Sequence, residues 1–126
     1  MARNARRLLE MVPVRQKTAP VSERVRRAIN LLLPSGRANV QTVAASFGVS
    51  PRSLQRSLAK ERHRFGDLLD GVRQELAKAY LANSTHSITS VAAMLGYGSP
   101  SSFTRWFVSA FGCSPQSWRE GRRSGR

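Results

Sequence analysis

The sequence predicts an all-α protein: seven helices forming two helix-turn-helix subdomains joined by a long linker helix. Three observations carry that expectation. Apolar residues recur at helical spacing through most of the chain, and no stretch alternates as a strand would. Ser-Pro, a capping hydroxyl ahead of a proline at the first helical position, occurs at Ser50-Pro51, Ser99-Pro100 and Ser114-Pro115. Finally, one unit is written twice, as VAASFGVSPRSLQRSL from Val43 to Leu58 and as VAAMLGYGSPSSFTRWF from Val91 to Phe107. The copies are offset by 48 residues up to the glycine and by 49 after it, which sets Leu54 on Phe103, Arg56 on Arg105 and Leu58 on Phe107.

In chain order, residues 1–19 are basic with one short apolar cluster and read as a linker or tail. PVSERVRRAINLLLP opens on Ser22 as the expected N-cap and sets Val25, Ala28, Ile29, Leu32 and Leu33 at helical spacing, with Arg24, Arg26 and Arg27 on its other sides. Pro34 and Gly36 end it. A second helix is expected from Val40 to Phe47, stopped by Gly48. The third starts at Ser50-Pro51, extends over about 51–62 and turns Leu54 and Leu58 inward. After Gly66, DLLDGVRQELAKAYLA forms the long fourth helix, with Leu68, Leu69, Val72, Leu76, Ala79 and Tyr80 on one side. Gly71 weakens this helix without breaking it. NSTHS is a break. The fifth helix spans Ile88 to Leu95, the sixth covers 100–111, and a seventh carries Trp118. Subdomains are thus expected over 20–64 and 85–121, with the linker helix in 65–84 and a basic tail at 122–126.

Within each repeated unit the residue types suit two short helices meeting at an angle. Ala44 and Ala92 stand four positions before Gly48 and Gly96, where a larger side chain would push the helices apart. The glycines supply a left-handed turn. Val43 with Leu54, and Val91 with Phe103, are spaced to meet across the angle. The fourth helix, some 16 residues from Asp67 to Ala82, is about 24 Å long. With its flanking turns it is long enough to hold two reading helices about 34 Å apart, the separation of successive major grooves on one face of B-DNA.

Charge narrows the class of partner. A formal net charge of +14, from 21 Lys plus Arg against 7 Asp plus Glu, calls for a polyanion: nucleic acid first, an acidic membrane surface second. The plainer alternative is a solvated basic surface on a protein-interaction domain. Residues 1–64 carry 14 basic and 3 acidic side chains and residues 65–126 carry 7 and 4, so the first half dominates. Arginine outnumbers lysine 18 to 3, which favours bidentate recognition over diffuse charge.

Other classes are disfavoured. Cys113 stands alone, so no internal disulfide forms and a reducing, cytoplasmic home is expected. The longest apolar run, INLLL, is far short of a membrane span, and the first nineteen residues lack a signal-peptide core. His63 and His86 lie apart from each other and from clustered carboxylates, as surface residues would. No metal, cofactor or nucleophile–base pair is expected, and the chain does not read as an enzyme.

The stretch GYGSPSSFTRWFVSAFGCSPQSWRE resembles the signature of the AraC/XylS-type bacterial transcription regulators: Gly, an aromatic, Ser, a Phe-x-Arg-x-Phe helix, then Phe-Gly-x-Ser-Pro, an aromatic and Arg. VSPRSLQRSLAKE followed by FGDLLDGVRQELAKAYL resembles the first half of the same DNA-binding module, and the likeness covers about residues 20–121. The resemblance implies two helix-turn-helix subdomains that insert their recognition helices into successive major grooves of double-stranded DNA. It also implies a larger N-terminal domain for effector sensing or dimerisation in the parent chain, with RNA polymerase as a candidate further partner. The rival class is a sequence-nonspecific basic architectural or RNA-binding protein.

Carried over position by position, the resemblance puts base reading on Arg52, Gln55 and Arg56 in the first recognition helix and on Ser101, Ser102, Thr104 and Arg105 in the second. Arg and Gln suit bidentate contacts to guanine and adenine edges. The alternative for Arg52 and Arg56 is phosphate contact alone. Backbone contacts are expected from Arg37, Ser53, Ser57, Lys60, Arg62, Arg64 and Arg119. Trp106 and Val108 depart from the family, which often has basic or polar residues there. Trp106 is expected to pack on the last helix, with exposure to a partner domain or polymerase as the alternative.

Overall fold

A computed structural model describes residues 19–83 and 85–123; most of the expected basic tails lie outside the described residues. Seven α-helices appear among them: α1 (Val21–Leu32), α2 (Val40–Ser46), α3 (Pro51–Lys60), α4 (Phe65–Ala82), α5 (Ile88–Met94), α6 (Pro100–Phe111) and α7 (Pro115–Arg123). A 3-10 turn, Leu33–Ser35, follows α1. No strand occurs among the described residues, so the all-α expectation holds.

The described residues form two compact units: 19–33 with 37–72, and 34–36 with 73–83 and 85–123. In the first, α1 packs on α2 and α3, and α2 on α3. Val25, Ala28, Ile29, Leu33, Val43, Ala44, Leu54, Leu58, Phe65, Leu68 and Val72 form its core. In the second, α5 packs on α6 and α6 on α7. Its core holds Ala77, Leu81, Val91, Ala92, Leu95, Phe103 and Phe107, and it is aromatic: Phe107 stacks on Phe111 at 4.3 Å and meets Trp118 edge-on.

The two copies close their turns identically. Gly48 and Gly96 take φ of 73° and 84°, where a side chain would clash with its own carbonyl. The next residue's N–H, of Val49 or Tyr97, then donates to the carbonyl of Ala44 or Ala92 at 3.0 Å in both. A left-handed residue after the last helical turn allows that bond, which satisfies a carbonyl the helix leaves open. Ala44 and Ala92 are buried, as their small size anticipates.

Two expectations fail for physical reasons. Ser22 does not cap α1; it lies inside the helix and is buried, while Pro20 occupies the cap position and offers no side-chain acceptor. The carboxylate of Glu61 does the work instead, accepting the N–H of Val21 at 2.8 Å and of Ser22 at 3.0 Å. Nor does α4 bury one continuous face. Phe65, Leu68 and Val72 are buried in its first half and Ala77 and Leu81 in its second. The five-residue step from Val72 to Ala77 breaks the three-and-four stripe of a single face. Leu69, Leu76 and Tyr80 are consequently half-buried and Ala79 exposed.

Candidate nucleic-acid interface

The second helix of each repeated copy, α3 or α6, is aimed by its cap and its buried pair. Ser50 Oγ accepts the Ser53 N–H at 3.1 Å, Pro51 follows at the first helical position, and Leu54 and Leu58 face the core. Ser99 Oγ likewise accepts the Ser102 N–H at 3.2 Å ahead of Pro100, and Phe103 and Phe107 face inward. With i and i+4 held inside, the opposite side must face solvent. On α3 that side presents Arg52, Gln55 and Arg56, all exposed; on α6 it presents exposed Ser101 and Arg105 with half-buried Thr104. Each set is spaced i, i+3, i+4, so its members line one helical face. Ser102, exposed, stands off that row beside the cap.

Further basic side chains are exposed in the first unit. Arg37, Lys60, Arg62 and Arg64 are exposed, as is Ser53, while Ser57 is half-buried. Arg62 takes φ of 63°, a left-handed conformation uncommon for any residue but glycine. It ends α3: its N–H donates to the Ala59 carbonyl and the next N–H, of His63, to the Leu58 carbonyl, both at 2.9 Å. Arg24 is engaged within the unit, its guanidinium 4.8 Å above the Phe47 ring. Beside this turn the Glu61 carboxyl titrates below its ordinary value of 4.5, chiefly because the N–H groups of Ser22 and then Val21 stabilise its charged form.

Arg119 departs from its expected place on the DNA backbone. It is 8% exposed, and its guanidinium is used inside the second unit. Nε–H donates to the Leu81 carbonyl at 2.9 Å, and Nη2 donates to the carbonyls of His86 at 2.6 Å and Asn83 at 3.4 Å. The cause is the end of α4, whose last carbonyls have no donor within the helix and carry the negative end of its dipole. A cation there ties the segment after α4 to α7. His86, expected at the surface, is half-buried with its ring edge-on to Tyr80 at 5.9 Å.

Trp106 packs into the aromatic cluster. It is half-buried against Tyr97, Phe103, Phe107 and Phe111, and Phe107 meets Trp118 of the last helix. The Arg73 guanidinium lies over the Tyr97 ring, 4.8 Å from its centroid. Neither the Glu61 clamp nor the Arg119 tie has a signal in sequence, because their partners lie 40 and 38 residues away. Among the described residues no group of three His, Cys, Asp or Glu is placed to hold a metal, and no helix is long and apolar enough to cross a membrane.

The profile of the helix-turn-helix domain family matches residues 43–121, which takes in the second half of the first unit and both helices of the second copy. The chain belongs to this family, in its AraC-type branch. Its relatives include the HTH-type transcriptional regulator VirS of Mycobacterium tuberculosis, 37% identical over 109 residues that make up 86% of this chain and 32% of VirS. The transcriptional activator AggR of Escherichia coli is 29% identical over 113 residues, 90% of this chain and 42% of AggR. Among solved structures, a DNA-binding transcriptional dual regulator of Escherichia coli K-12 superposes with a TM-score of 0.76 at 27% identity, covering 86% of this chain and 96% of that one. The chain therefore spans about a third of the length of VirS, and nearly all of a solved DNA-binding regulator.

Proposed function

We propose that this chain binds double-stranded DNA sequence-specifically, as the DNA-binding part of an AraC-type transcription regulator, with α3 and α6 as its recognition helices. The observation that carries it is the shared register: two helices with the same cap and the same buried pair, presenting Arg52, Gln55, Arg56 and Ser101, Thr104, Arg105 at equivalent positions. Arg52 and Arg56 suit guanine O6 and N7, and Gln55 suits adenine N6 and N7. Ser101, Ser102 and Thr104 reach only a short way and read edges that the helix brings close. Phosphate contacts fall to Arg37, Ser53, Ser57, Lys60, Arg62 and Arg64, around the more basic first recognition helix. Arg119, already used internally, drops out.

Entry of α3 and α6 into successive major grooves is supported by α4, whose 18 residues give it a length of about 27 Å. An N-terminal effector or dimerisation domain in the parent protein, contact with RNA polymerase and cytoplasmic residence go with the same proposal. So does the absence of enzymatic activity, in keeping with relatives named as regulators.

Selection from a random DNA pool tests it. Two enriched boxes one helical turn apart are expected. Arg56→Ala should relax one position of the first box and Arg105→Ala one position of the second, by about 1–3 kcal/mol each. Tight binding that falls steeply with salt and enriches no sequence would overturn it in favour of a sequence-blind basic protein.

A further inference from the structure

Among the described residues three large apolar side chains are exposed: Leu31, Val49 and Val108. Only Val108 stands on a recognition helix, and it is 44% exposed. Its position is informative. Ser101, Thr104, Arg105 and Val108 follow i, i+3, i+4, i+7, so Val108 continues the reading face of α6 by one turn. The equivalent residue on α3 is Ala59, also exposed, in the row Arg52, Gln55, Arg56, Ala59.

We infer that Val108 is a further base-reading residue, contacting the 5-methyl group of a thymine in the second half-site; this rests on the DNA-binding proposal above. On that face an apolar side chain meets the floor of a major groove. The methyl group at pyrimidine C5 is the apolar feature that B-DNA displays there. Valine is suited to it, since its branched, stiff side chain presents two methyl groups with little rotamer freedom to lose. Distance along the helix agrees: Thr104 to Val108 is four residues, about 6 Å, or roughly two base-pair steps beyond the bases under Thr104. A protein partner fits this surface less well. Val108 is flanked on its own face by Ser101, Thr104 and Arg105, so the apolar area is a single side chain, much smaller than an interaction patch. The second recognition helix thus reads with short hydroxyls, one arginine and a methyl-binding valine.

Replacing thymine by uracil removes the methyl group and nothing else. On the site enriched by selection, thymines of the second half-site are changed to uracil one at a time, and binding of the whole chain is measured by fluorescence anisotropy. One of these changes is expected to weaken the parent protein about fourfold, the loss for exposing one methyl-sized group. Val108→Ala should weaken binding to the thymine site by a similar factor and lose most of the penalty for uracil at that position. 5-Methylcytosine at the same position should recover more binding than cytosine in the parent protein only. Because Val108 is exposed, the variant should keep its helicity and its first-half-site preference, which serve as controls. Tolerance of uracil throughout the second half-site, or a uracil penalty undiminished in Val108→Ala, overturns the inference while leaving sequence-specific binding intact. If selection enriches no site at all, the DNA-binding proposal fails first and this inference with it.

Discussion

Removing the Arg119 guanidinium tests what holds the second unit in shape. In Arg119→Met the hydrocarbon stem is largely retained, while the donors to Leu81, Asn83 and His86 vanish. Two of those bonds are short, and a hydrogen bond from a charged donor is worth about 1.5–3 kcal/mol. Against this, the variant no longer has to desolvate a guanidinium that is 8% exposed. The 3.4 Å contact to Asn83 adds little. We expect a net loss of about 2–3 kcal/mol in the second unit. The chain has two tryptophans, Trp106 and Trp118, and both lie in that unit, so tryptophan fluorescence during urea unfolding isolates it. Arg119→Lys should recover part of the loss, since one ammonium keeps the charge at the end of α4 but lacks the planar spread to serve separate carbonyls. A loss below about 0.5 kcal/mol in Arg119→Met would refute the assignment and show that water caps those carbonyls equally well.

Two further outcomes follow from the turn at residues 61–62. Glu61 has a depressed carboxyl pKa, so its contribution is fully present above the ordinary value of 4.5 and is lost as pH falls through the folded-state value. The urea midpoint of the first unit should therefore hold steady from pH 7 to about 5 and drop below it. Glu61→Gln should start lower at neutral pH and lack that added acid sensitivity; superimposable profiles would show the clamp on α1 to be inert. Arg62→Gly should raise stability by about 0.5–1 kcal/mol, since relief of a left-handed side chain outweighs the freer unfolded chain. If Arg62 also meets a phosphate, the same variant should reduce the salt dependence of DNA binding by about one ion. A stability loss would show that the strained φ of 63° is compensated by contacts the glycine cannot make.

What was legible in the sequence is what local chemistry decides. Ser50, Ser99 and Ser114 cap the helices they precede, each accepting the N–H three residues on. The glycines of the two copies mark left-handed turns, and the inward pairs Leu54/Leu58 and Phe103/Phe107 are buried. Illegible were features that depend on distant partners. Ser22 looked like a cap because a hydroxyl preceded an apolar-periodic stretch, but the winning acceptor came from Glu61, 39 residues further on. The face of α4 was misread because its two halves belong to two cores, so no single period runs its length. Arg119 looked like one more surface arginine in a chain with many. Nothing nearby in sequence distinguishes a guanidinium that caps a helix from one that meets solvent.

The duplicated frame makes the difference between its two faces informative. Caps, turns and buried pairs repeat, whereas the outward residues change from Arg52, Gln55, Arg56, Ala59 to Ser101, Thr104, Arg105, Val108. Long side chains such as Arg and Gln adapt to a groove by changing rotamers, at an entropic cost of up to about 2 kcal/mol each. Serine, threonine and valine have no such reach, so a helix that reads with them must be set in place by the fold itself. The packing of the second unit meets that demand. The inner side of α6 is aromatic, Phe103, Trp106, Phe107 and Phe111 meeting one another and Phe107 meeting Trp118 of α7, and Arg119 ties the segment leading into α5 to α7. The first unit instead has the arginine-rich reader, with Arg52 and Arg56 exposed on α3. On the proposed function, the first unit reads with long, adaptable side chains, and the second supplies rigidity with close-range reading. Mutations that loosen the aromatic core should then erase second-half-site preference before they erase affinity.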